Sequence, residues 1–86
     1  MELDRETVGP VVNRLRRAQG QLAGVLRMLE DERDCADVVT QLAAVSKALD
    51  RAGFAVIALG LRQCISDPES HGMDVDNMEK LFLSLA

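Results

Sequence analysis

Cys35 and Cys64 are the only two cysteines in this chain of 86 residues. A pair of thiols can bind a soft metal ion or take part in sulfur exchange. Two are too few for a self-contained zinc site of four cysteines. If one helix joins them, the rise of 1.5 Å per residue sets them about 43 Å apart. A disulfide needs Cα atoms within about 7 Å, so they cannot meet inside one subunit. Two copies of that helix, packed antiparallel about an axis near Leu49 and Asp50, would bring Cys35 of one copy level with Cys64 of the other. A two-fold dimer then carries two shared thiol sites. Cysteine is also common core filler, but placement at opposite ends of one helix, symmetric about its midpoint, favours a functional pair.

The elements that must hold these thiols are helical. Val11, Leu15, Leu22, Val25, Leu26 and Leu29 recur at helical spacing, which predicts a helix from about Val8 to Leu29. Thr7 is the expected cap, with Pro10 in the first turn. Arg14, Arg16, Arg17 and Arg27 lie along this helix with no acid between Thr7 and Leu29. Glu30 to Asp34 is a charged break, and Asp31 or Asp34 can cap the next helix. Val38, Leu42, Val45, Leu49, Ala52, Val56 and Leu59 then keep helical period, predicting a second helix from about Cys35 to Ile65. Gly53 and Gly60 weaken it by roughly 1 kcal/mol each relative to Ala, so packing must compensate. Gly53 to Leu61 is apolar on nearly every side, the mark of a helix buried all round. A turn-rich linker around Pro68 carries the lone His71, read as a solvated loop residue. Asp74 or Asp76 can cap a short third helix with Val75, Met78, Leu81, Phe82 and Leu85 on one face.

Residues 1–86 thus form one all-α domain. Apolar residues make up 48% of the chain and only Phe54 and Phe82 are aromatic. Two long helices and a stub do not enclose a core, whereas two copies make a four-helix bundle. The charged start and the shortness of the apolar stretch from Ala52 to Leu61 point to no membrane and to the cytoplasm. No general base, oxyanion donor or substrate pocket can be assigned, so the chain does not read as an enzyme. The formal charge of −4 argues against nucleic acid unless the bases are gathered on one face.

The run Arg14-Leu15-Arg16-Arg17-Ala18-Gln19-Gly20-Gln21-Leu22-Ala23-Gly24, then Cys35-Ala36-Asp37-Val38-Val39-Thr40-Gln41, then Cys64, resembles the CsoR/RcnR family of bacterial repressors. The resemblance covers nearly the whole chain, from about Val11 to Leu85. It implies three-helix subunits in an antiparallel four-helix dimer, paired again into a tetramer. It also implies binding to double-stranded operator DNA without a helix-turn-helix, and release when the inter-subunit thiol site is filled. Arg14 and Arg51 match the family's DNA-binding positions, with Arg17 and Lys47 as neighbours, while Gln21 either reads base edges or packs, packing being the expectation.

Branches of the family differ in what fills the thiol site. Copper sensors place a His four residues before the second Cys, where this chain has Gly60. Nickel and cobalt sensors use a His near the N-terminus, where this chain has none, and the formaldehyde branch has a Pro where Glu2 stands. Two cysteines with no His between them resemble the CstR branch, which answers persulfides and polysulfides. The expected inducer is therefore a reactive sulfur species, with Cys35 attacking, Cys64 resolving, and no cofactor. The alternative is a copper-responsive repressor whose two thiolates, Cys35 and Cys64, hold Cu(I).

Overall fold

The computed structural model describes residues 2–66 and 75–86, Val75 by its backbone alone. Three helices follow in order: α1 (Gly9–Glu30), α2 (Cys35–Ser66) and α3 (Val75–Leu85). There is no strand among the described residues, and each helix falls within about a residue of its expected bounds. Most of the expected linker, with His71, and the Asp74 cap lie outside the described residues.

Local chemistry explains the helix ends. Pro10 sits in the first turn of α1 as expected, but Thr7 does not cap it. Val8 holds the N-cap position with no side-chain hydrogen bond. The Thr7 hydroxyl instead donates to the Asp4 carbonyl at 3.1 Å, closing a separate turn. Pro10 has no backbone N–H, so one fewer donor needs a cap there. At the other end of α1, Arg33 N–H reaches back to the Met28 carbonyl at 3.0 Å and Glu32 N–H to that of Leu29 at 3.4 Å. This is a Schellman closure. It puts Glu32 in the left-handed region (φ 56°), where glycine would be more comfortable. Asp34 then caps α2 by accepting from Ala36 N–H at 3.0 Å.

α1 and α2 form an antiparallel hairpin closed along a narrow seam. The buried residues on α1 are Val11, Ala18 and Val25, and on α2 they include Val38, Val45 and Ala52. Both sets recur every seven residues, the spacing that keeps a small-residue seam facing its neighbour along two long helices. α3 docks on α2 through buried Met78, a tilted Phe54–Phe82 ring pair with centroids 5.1 Å apart, and Leu85. Gly53 permits the last contact, because a Cβ there would stand 2.7 Å from Leu85 Cδ1.

The chain measures 53 × 25 × 13 Å. Its thinnest dimension is little more than one helix diameter. It is one layer thick, and no large side chain is fully buried among the described residues. The stretch from Gly53 to Leu61, expected to be buried all round, is half-buried at every residue except buried Gly60, since a single layer cannot enclose a helix. Leu15, Leu22, Leu26, Leu42 and Leu49 remain more than 40% exposed.

The seam divides two unlike faces. On α1, Arg14, Arg17 and Gln21 fall on one flank of the buried line and Val12, Leu15 and Leu22 on the other. On α2, Lys47, Arg51 and Arg62 fall on one flank and Leu42, Leu49 and Val56 on the other. One side of the slab is basic and the other apolar.

The seam has little room. Ala52 is 1% exposed, so Ala52→Leu should lower the free energy of unfolding by about 1–3 kcal/mol through overpacking. A urea denaturation midpoint equal to that of the unsubstituted protein would show that the helices are not closely packed there.

Candidate functional site

Cys35 opens α2 and is exposed; Cys64 stands near its C-terminal end and is buried, 9% exposed. The helix between them is continuous. Over 29 residues the 3.6-residue period returns to within about 20° of its starting direction, so both thiols leave the same face of α2. That face borders Leu42, Gly53 and Val56 on the apolar side of the slab. Their separation along the helix is about 43 Å. Accordingly, no cluster of three or more His, Cys, Asp or Glu able to hold a metal ion exists among the described residues of one subunit. Gly60, one turn before Cys64, brings a buried backbone and no side chain to that face. Beside Cys35, Arg33 is drawn to Asp37 at 4.0 Å, an exposed pair whose cation is thereby engaged next to the thiol.

On the other side, Arg14, Arg17, Gln21, Ala48 and Arg51 line a concavity of about 150 Å³. Arg14 is shared with a second, larger concavity of about 590 Å³ that Arg62 and Glu6 also line. None of these four arginines has a carboxylate within ion-pairing distance among the described residues. The structure brings together Arg14, Arg17 and Arg51 of the expected set. Lys47 lies one turn before Arg51 on the same stripe but does not line either hollow. Arg16 instead lines an apolar hollow with Leu15, Leu22 and Leu49. Gln21, expected to pack, is exposed among the arginines. Arg62 was not singled out from the sequence, although it repeats the stripe of Lys47 and Arg51 at helical spacing.

The profile of the family described as "Metal-sensitive transcriptional repressor" matches residues 9–84. This chain belongs to that family. The metal-sensitive repressors most similar to it include the "Copper-sensing transcriptional repressor CsoR" of Mycobacterium ulcerans, 44% identical over 64% of this chain and 47% of the relative. Another is the "Copper-sensing transcriptional repressor RicR" of Mycobacterium tuberculosis, 37% identical over 69% of this chain and 62% of the relative. A third is the CsoR of Mycobacterium bovis, 38% identical over 83% and 60%. The match thus spans about half to three-fifths of these curated relatives. The family is one of transcriptional repressors, not of enzymes.

The expectation of a thiol site with no cofactor is corrected by these findings. The family is metal-sensitive, and the relatives named above sense copper. The physical reason is that two thiolates are enough for a soft ion such as Cu(I). Gly60 offers no side-chain donor, but both cysteines are present.

The unequal burial of the thiols can be read directly. Iodoacetamide should modify Cys35 of the reduced protein well before Cys64, as peptide mass spectrometry would record. Equal rates would mean that Cys35 is covered to the same extent as Cys64.

Proposed function

We propose that this chain is a Cu(I)-responsive repressor that acts in the cytoplasm on double-stranded operator DNA. Two subunits pair antiparallel through their apolar faces, and the dimers pair again. The observation that carries this reading is the placement of Cys35 and Cys64 on one face of one unbroken helix, bordering an apolar surface that a single subunit leaves open. A second copy laid antiparallel on that surface sets Cys35 beside Cys64 of the partner subunit at each end of the bundle.

The donor set fits Cu(I). Cys35 and the partner's Cys64 would hold the ion as two thiolates, with Gly60 contributing nothing. Bound there, Cu(I) supplies a bond between two chains that fixes the separation of their α2 helices. The basic side of the slab stays open in such a pair. Arg14, Arg17, Lys47 and Arg51 then serve as phosphate contacts, and because they lie on two helices, a shift of α2 against α1 changes their spacing. A 5- to 150-fold loss of DNA affinity on induction needs a coupling of about 1–3 kcal/mol.

A second reading is favoured by one observation, the missing third donor at Gly60. Here Cys35 thiolate attacks a sulfane sulfur of a polysulfide, breaking its S–S bond and releasing the shortened polysulfide. The thiolate of the partner's Cys64 then attacks the Cys35 sulfur and expels hydrosulfide. A disulfide forms: the protein loses two electrons and the sulfane sulfur gains them.

Reduced protein should bind duplex DNA and release it on anaerobic addition of Cu(I), and neither Cys35→Ser nor Cys64→Ser should release it. Release by inorganic polysulfide with a new inter-subunit bridge in the intact mass, and none with Cu(I), would replace the first reading by the second. Arg14→Ala and Arg51→Ala should each weaken binding and flatten its salt dependence, by about 0.9 in log–log slope for every phosphate no longer neutralised. Full affinity in both variants would remove the basic side as the DNA surface.

A further inference from the structure

The basic side does not end at Arg51. Lys47, Arg51, Ala55, Ala58 and Arg62 succeed one another at intervals of three or four, a single stripe along α2. Across from it, Pro10, Arg14, Arg17 and Gln21 form the matching stripe on α1. The two hollows between these stripes share Arg14, and Arg62 lines the larger of them. From Lys47 to Arg62 the stripe on α2 spans about 22 Å, enough for several successive phosphates of a duplex.

An acidic segment of the same chain reaches the larger hollow. Glu2, Asp4 and Glu6, with one base, Arg5, precede α1. One side chain latches this segment. Asp4 N–H donates to Gln63 Oε1 at 3.0 Å, and Gln63 Nε2 donates to the Glu2 carbonyl at 2.6 Å. Thr7 donates to the Asp4 carbonyl through both its hydroxyl and its N–H, each at 3.1 Å, and so turns the chain toward α1. The result is that Glu6 lines the same hollow as Arg14 and Arg62 without forming an ion pair with either. A carboxylate so placed lowers the local potential while leaving both guanidiniums available. Gln63 lies between Arg62 and Cys64, so the latch, the cation and the buried thiol are consecutive on α2.

We propose that Arg62 is a further phosphate-binding residue, and that the N-terminal turn held by Gln63 sets Glu6 as a built-in competitor for DNA phosphate at Arg62 and Arg14. This rests on the DNA-binding reading above. The competitor is short-range: at physiological salt charges are screened beyond about 8 Å, so only an acid inside the groove acts on it. Release of the latch, by any displacement of Gln63 against α1, frees the groove of its own carboxylate.

The test uses the full-length reduced protein and a mixed-sequence DNA duplex, for which phosphate contacts supply the affinity. Glu6→Gln should tighten binding by about two- to fivefold, the range of an exposed charge pair. Glu30→Gln, which changes net charge equally at the opposite end of α1, should tighten it less. Gln63→Ala, which changes no charge, should tighten binding in the same direction as Glu6→Gln. Arg62→Ala should weaken binding and flatten its salt dependence, and in that background the gain from Glu6→Gln should shrink. Equal effects of Glu6→Gln and Glu30→Gln, or an unchanged salt slope in Arg62→Ala, overturn the proposal. If that happens while Arg14→Ala and Arg51→Ala still lose affinity, the DNA-binding reading stands alone. An unsubstituted protein that binds no duplex at any salt sinks both.

Discussion

The seam between α1 and α2 governs everything else about this molecule. Val11, Ala18 and Val25 meet a line that includes Val38, Val45 and Ala52, and the seven-residue recurrence on both helices keeps the contact narrow along the whole hairpin. Small side chains allow close approach, but they bury little apolar area. A seam of this kind holds two helices side by side without creating an interior. It leaves a slab with two free sides, and the residues flanking the seam decide what each side can do. On one flank stand arginines that have no carboxylate partner among the described residues; on the other stand leucines roughly half-exposed. Apolar surface of that extent draws a partner with similar surface. Guanidiniums left open to solvent draw anions.

A further constraint is the continuity of α2. No proline interrupts it, Asp34 caps its start, and its two glycines cost helix propensity that α3 helps to restore at Gly53, where Leu85 closes on the bare backbone. A continuous helix separates Cys35 from Cys64 by far more than a bond length yet aims both in nearly the same direction. Any chemistry between these thiols would therefore need two copies of the chain, and any bond formed there would constrain how two α2 helices lie. The basic groove is built from α1 and α2 together. Its geometry thus depends on the helix that carries both thiols.

The N-terminal turn adds an asymmetry that the two faces alone lack. Its hydrogen bonds to Gln63 are solvent-exposed, so each is of modest strength. They nonetheless hold an acid near the groove at the end of α2 that carries the buried thiol. A molecule with net charge −4 needs its few bases undiluted where DNA would bind, and one acid at the edge of that surface matters more than several elsewhere.

The three helices, their order and their breaks were legible along the chain, because apolar periodicity, Pro10, the charged run from Glu30 to Asp34 and the Asp34 cap are all local signals. So was the impossibility of the thiols meeting within one subunit, which needs nothing beyond helical rise. The family could be read in the Arg14 to Gly24 and Cys35 to Gln41 runs, but the branch could not: absence of a donor at Gly60 pointed to sulfur, whereas the relatives sense copper. Which arginines share a surface was left to packing. Arg14, Arg17, Arg51 and Arg62 converge because two helices meet in one particular rotation about their axes, while Arg16 turns to the apolar side. The same packing leaves Gln21 in the open and brings Glu2 and Asp4 to Gln63. Residues some 60 positions apart become neighbours only through the seam, and no local pattern encodes that rotation.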